Sequence, residues 1–134
     1  MQNWSIEQKS LQLRYAWKIS RNESVEKTNL FIKVSDGRFE GSGEIAPNVR
    51  YGETPDSIQL EFAEFVKKIP QGIADLSALD TVLSSFSNAF RFGVESAYTY
   101  YLCAKKGITV SQFFDIPAPS PVPTSYTLPI MDIG

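Results

Sequence analysis

The sequence predicts an α+β fold, a three-stranded antiparallel meander followed by a helical bundle. Apolar residues alternate with polar ones over Leu11 to Ile19 and again over Thr28 to Ser35, the period of half-buried strands. Asp36-Gly37 separates the second of these runs from a third over Phe39 to Ala46, and such a pair marks a tight hairpin. After Thr54-Pro55 the spacing of apolar residues becomes helical. On this reading the sheet lies within 5–47 and the helices within 54–114.

Each element has a local cause. Leu11, Leu13, Tyr15, Trp17 and Ile19 face one side of the first strand, and Gln12, Arg14 and Lys18 take most of the other. Ser20 to Lys27 is polar throughout and reads as an exposed loop. Leu30, Ile32 and Val34 share a face of the second strand. One face of such a sheet needs a cover, and the helices after it can supply one. Thr54-Pro55-Asp56 is a strong helix start: a hydroxyl cap, proline at the first helical position and an acid in the first turn. Ile58, Phe62, Phe65, Val66 and Ile69 then form one stripe, ended by Pro70 and Gly72. Leu76, Leu79, Val82, Leu83 and Phe86 mark a second helix. Ser87 caps a third that runs to Lys106 and closes at Gly107, with Ala89, Phe90, Val94, Ala97, Tyr101 and Leu102 toward the core. Thr109 and Gln112 have the spacing of a capping box for one more short turn.

Prolines at 117, 119, 121 and 123 then make residues 115–123 an extended linker. Residues 124–134, beginning Thr124-Ser125-Tyr126-Thr127, read as a further strand.

Composition excludes several classes of function. The chain has 134 residues, enough for one domain with its own core, with 43% apolar and 21% charged residues. Net charge is −2 without a basic block, so nothing predicts nucleic-acid binding. The absence of histidine removes Ser-His and Cys-His catalysis and His-ligated metals. Cys103 is the single cysteine and reads as a small buried hydrophobe. The N-terminal residues resemble no secretory peptide and no run is long enough to span a bilayer, which leads to the expectation of a cytoplasmic protein without membrane contact.

Gly41-Ser42-Gly43-Glu44-Ile45-Ala46 matches the dinucleotide fingerprint formally. That fingerprint needs a helix to begin within it, whereas Pro47 and a polar loop come next here. The glycines read instead as a strand twisting or approaching another backbone. Glu44 and Glu53 are paired acids in sequence, but nothing in the sequence brings them together. Glu44 reads as a partner of a cation near the sheet edge, and Glu53 as a charge favouring the dipole of the helix it precedes. Arg91 and Glu95 form an i, i+4 ion pair worth a few tenths of a kcal/mol.

The stretch Gly41 to Thr54, GSGEIAPNVRYGET, resembles the N-terminal capping domain of the enolase superfamily in its muconate-lactonizing branch. Arg50-Tyr51-Gly52-Glu53-Thr54 looks most like the dipeptide (L-Ala-D/L-Glu) epimerases of that branch. Arg91, Glu95 and Ala97 resemble the branch's Arg-x-x-x-Glu-x-Ala helix, with Tyr100 where that motif often continues to an aspartate. The resemblance implies a capping domain over 1–114, the linker, and at 124–134 the first strand of a TIM barrel whose remainder is missing. It further implies substrate-binding residues on two loops: Ile19 and Arg21 at the first, and Arg50 and Tyr51 at the second. Thr127 is implied at the end of the barrel strand. An arginine suits a carboxylate because its fork bonds both oxygens, and a tyrosine adds apolar area with one hydroxyl. In the family a barrel lysine abstracts a proton α to a carboxylate and Mg²⁺ stabilises the enediolate. Those lysines and metal ligands fall beyond Gly134, so no catalytic or metal residue is expected in this chain, which by itself should be inactive. The expected partners are a dipeptide and a C-terminal barrel domain, with homo-oligomerisation left open. Two alternatives stay open: the cap of a cycloisomerase or o-succinylbenzoate synthase-like lyase, and a stand-alone, non-catalytic binding module.

Overall fold

The structure is a computed structural model that describes residues 1–19 and 22–125, of which 15–19 and 22–24 by backbone alone. Strands β1 (Asn3–Ile19), β2 (Asn22–Ser35) and β3 (Glu40–Ile45) form an antiparallel sheet in the order β1-β2-β3. Helices α1 (Pro55–Lys68), α2 (Leu76–Leu83), α3 (Asn88–Lys106) and the single turn α4 (Val110–Phe113) complete the chain order. The predicted α+β meander and helical bundle is the observed architecture.

Register explains the core. Trp4 pairs with Val34 and Ile6 with Ile32, and across the sheet Val34 pairs with Gly41, Ile32 with Gly43 and Leu30 with Ile45. These residues share one face, because alternate residues of a strand point the same way. The apolar side chains are carried by β1, β2 and Ile45, and glycines occupy the rest of the inner face of β3. A Cβ on Gly41 would overlap the Ala97 carbonyl and the Tyr101 amide, and one on Gly43 would overlap the Gly93 carbonyl. Helix α3 therefore lies directly on β3, as the close-approach reading of these glycines expected. Tyr98 and Tyr101 stack at 5.9 Å, Trp4 meets Phe65 edge-on at 5.1 Å, and Phe86 stacks on Phe90 at 5.2 Å. The rings seal the seam between sheet and helices.

Two strand boundaries differ from expectation. β1 begins at Asn3 rather than Leu11, because Trp4 and Ile6 already alternate toward the core. β2 begins at Asn22, so most of Ser20 to Lys27 is strand rather than loop. Its residues pair with β1 as far as Ile19↔Asn22, with a register shift between Gln12 and Trp17. β3 reaches only to Leu30, so this end is a two-stranded ribbon. Val25, Glu26 and Lys27 are exposed there, and Ser10 and Gln12 each donate to Glu26 at 2.9 Å. At Glu26 the pairing is supported by cross-strand bonds rather than by burial, which the hydrophobic pattern cannot report.

The caps agree with the sequence. Thr54 and Ser57 form a capping box at α1, Ser87 caps α3, and Gly107 (φ 66°) closes it. Thr109 and Gln112 cap α4 reciprocally. Ile58 and Phe65 on α1 and Ile69 at its C-cap are buried, while Val66 faces solvent. α2 stops at Leu83, short of Phe86, which is buried in the turn beyond it. Residues 116–125 have no helix or strand and are exposed. Tyr126 to Gly134, most of the strand expected over 124–134, lie outside the described residues.

Candidate functional site

The site grows from the turn between β3 and α1. Ala46 and Pro47 end the strand, and Asn48 organises the turn. Its Oδ1 accepts from the Arg50 amide at 3.0 Å. Its carbonyl accepts from the amides of Tyr51 at 2.9 Å and Glu53 at 3.3 Å. Val49–Tyr51 coil into one 3-10 turn, and Gly52 takes the left-handed conformation (φ 74°) that lets the chain reverse. A tight turn pushes its side chains outward, and Arg50 and Tyr51 are both exposed.

Glu53 points the other way and is only 5% exposed. Its Oε2 accepts from the Asn48 amide at 3.0 Å, and its Oε1 from the Ala89 amide at 3.1 Å. The second bond lies in the first turn of α3, where the helix offers unpaired N–H groups and positive potential. Glu53 thus serves α3 rather than the helix it precedes, a correction to the sequence reading. Glu61 reinforces the same end, accepting from the Ser87 amide and hydroxyl, both at 2.7 Å.

Between this turn and α3 lies a recess of about 510 Å³, bordered by Glu44, Asn48, Tyr51, Glu53, Asn88 and Phe92. Glu44 and Glu53 therefore border one cavity after all. They do not form a free acid–base pair: Glu44 accepts from Asn29 Nδ2 at 2.6 Å, and both oxygens of Glu53 are engaged. The partner found for Glu44 is an amide where the sequence suggested a cation. A second recess of about 290 Å³, between Phe92, Glu95, Tyr100 and Phe114, adjoins the first at Phe92.

Arg50 and Tyr51 stand side by side on one turn, and only Tyr51 borders the recess. Ile19 ends β1, paired with Asn22, and is described by backbone alone. Arg21 and Thr127 lie outside the described residues. Arg91 sits between Asp80 at 3.1 Å and Glu95 at 3.6 Å, so the expected ion pair is present with a second acid. Sequence reading missed Asn48 as organiser, Glu53 as anchor and Phe92 as wall. An Asx residue two before an exposed Arg could have flagged the first; the other two depend on contacts distant in sequence. Among the described residues no group of three His, Cys, Asp or Glu side chains could hold a metal ion. The Mg²⁺ implied by the resemblance therefore finds no donor set there. No described helix is long and apolar enough to cross a membrane.

No family model matches the sequence, and neither does any curated protein. Solved structures do match. An enolase family member from Agrobacterium tumefaciens with homology to dipeptide epimerases, solved with sodium and L-Ala-L-Glu bound and a loop ordered, superposes with a TM-score of 0.76 at 19% identity; the match covers 88% of this chain and 36% of that one. Muconate lactonizing enzyme from Pseudomonas fluorescens, complexed with muconolactone, gives 0.70 at 25% identity, covering 85% and 33%. The substrate-liganded L-Ala-D/L-Glu epimerase from Bacillus subtilis gives 0.54 at 16%, covering 75% and 29%. The structural neighbours are enolase superfamily members, and this chain has the fold of their N-terminal domain. It spans about a third of the length of the structures it matches.

Proposed function

We propose that this chain is the specificity cap of an isomerase that epimerises a dipeptide. The observation that carries the reading is the exposed Arg50–Tyr51 turn, braced by Asn48 and Glu53 at the edge of this fold. An Arg guanidinium can clamp a substrate carboxylate through two hydrogen bonds, and the Tyr51 ring with Phe92 offers apolar walls beside it. The cap's work is to bind, orient and exclude water, as closing loops do. Proton transfer and metal binding belong, on this proposal, to a companion (β/α)₈ barrel, and Mg²⁺ to that barrel's acids. Ile19, Arg21 and Thr127 remain proposed substrate neighbours on the strength of the resemblance.

The test is α-proton exchange. The protein joined to such a barrel is expected to wash deuterium from D₂O into the α-position of dipeptides such as Ala-Glu, and only with Mg²⁺ present. Arg50→Ala should lower kcat/KM by roughly 10- to 100-fold, the loss of a charge-assisted hydrogen bond. An inert dipeptide panel would sink the reading. The muconate lactonizing enzyme match favours a second one, the cap of a cycloisomerase or related lyase. Turnover of those acids, with none of dipeptides, would select it.

A further inference from the structure

We infer that Glu53 is a positioning residue, which fixes the Arg50–Tyr51 turn onto the N-terminus of α3 and thereby makes this loop a rigid wall. The inference rests on the reading of Arg50 and Tyr51 as substrate contacts. A carboxylate is costly to bury unless its oxygens are bonded. Glu53 is buried, and each oxygen takes one amide from a different element: Asn48 at the start of the turn and Ala89 in α3. A side chain that only capped α3 would not need the Asn48 bond, and one that only closed the turn would not need Ala89.

The bond at Asn48 reaches the presenting residues directly. Asn48 is the hub of the turn, with its Oδ1 on the Arg50 amide and its carbonyl on the amides of Tyr51 and Glu53. Holding Asn48 to α3 therefore holds Tyr51 at the border of the larger recess, which Phe92 also lines, with Arg50 beside it on the same turn. The β1–β2 ribbon, by contrast, extends beyond the last β3 pair at Leu30↔Ile45.

Glu61 provides an internal control. It accepts from Ser87 at the same end of α3 but has no bond to the turn. Amide hydrogen exchange on Glu53→Gln and Glu61→Gln separates the two roles. The side-chain amide introduced by Glu53→Gln would set an N–H against one of the two backbone amides. Exchange at Asn48, Arg50 and Tyr51 is then expected to quicken about tenfold or more, as for a lost hydrogen bond to a charged group. Core amides of β2 should keep their protection relative to the global stability. Glu61→Gln should quicken the first turn of α3 and leave residues 48–52 unchanged. Glu53→Asp guards against a variant that does not fold: it keeps the charge at α3 but is one methylene too short to span both amides. It too should release the turn.

Equal effects of Glu53→Gln and Glu61→Gln on residues 48–52 would overturn the inference, as would a turn that stays protected in Glu53→Asp. In an enzyme carrying the barrel, Glu53→Gln should raise KM for the dipeptide with little change in kcat. The exchange measurement involves no substrate. A failed dipeptide reading therefore leaves it standing, and a failed exchange result does not touch the dipeptide assay.

Discussion

Asp36 joins two distant parts of the chain through one carboxylate. Its Oδ1 accepts from the amides of Arg38 at 2.9 Å and Phe39 at 2.8 Å, closing the β2–β3 hairpin. Its Oδ2 accepts from the Tyr101 hydroxyl at 2.9 Å, tying the hairpin to α3. The Phe39 and Arg38 amides, then the Tyr101 hydroxyl, lower its pKa from 3.8 to about 2. A depressed folded pKa means stability that is present above the unfolded value and lost as pH falls through the folded one. The stabilising contribution should therefore fade between about pH 4 and pH 2. Asp36→Asn should be less stable near neutrality, flatter in that window, and should converge on the parent near pH 2. Urea unfolding at pH 6, 4 and 2.5 reads this out; a parallel loss in both proteins would exclude Asp36 as the source. Burial, reinforced by the bond to Asp36, raises the Tyr101 pKa, so its hydroxyl remains a donor throughout.

At the scale of elements, the contact between α3 and β3 is set by what is missing from three side chains. Gly41 and Gly43 present bare backbone to α3, and Gly93 presents bare backbone to Ile45. Gly43→Ala must push the helix outward, because its new methyl would meet the Gly93 carbonyl rather than a flexible side chain. The expected cost is about 1–3 kcal/mol, the range for over-packing, measured as a shift in urea midpoint with unchanged m-value. Ser42→Ala, on the exposed face of the same strand, should change stability by less than about 0.5 kcal/mol. Legibility divides along the same line. The hairpin at Asp36-Gly37, the caps at Thr54, Ser87 and Thr109, and the buried stripe of α3 could be read because each is encoded within a few neighbouring residues. The polar half of β2 could not, since Glu26 is held by Ser10 and Gln12 across the ribbon rather than by burial. Glu53 could not either: Ala89 lies 36 positions away, and no local pattern announces that meeting. Of the candidate site, the exposed turn with Arg50 and Tyr51 was legible, and its brace was not.

Among the described residues, the three-stranded part of the sheet buries one face, and an apolar strip is left elsewhere. Tyr51 is 75% exposed, Phe92 67%, Tyr100 54% and Phe114 53%. Phe92 borders both recesses, with Tyr51 on one side and Tyr100 and Phe114 on the other. Scattered apolar residues on a surface need no explanation, but a contiguous strip with hollows is a different matter. The α3 sequence shows why it persists. Residues 90, 94, 97, 98 and 101 are already turned to the core, so the helix cannot bury 92 and 100 as well, and no other described element lies over them. An isolated chain should associate through this strip as its concentration rises. Phe92→Ser combined with Tyr100→Ser should hold it monomeric in sedimentation velocity while leaving the thermal midpoint within a few degrees, since neither ring contributes to the buried core. Val25→Ser, an equally exposed apolar site on the ribbon away from both recesses, should leave association as it was. Association that survives the double substitution would show that the strip is not its cause. A double variant that unfolds at a much lower temperature would show that these rings stabilise the domain after all.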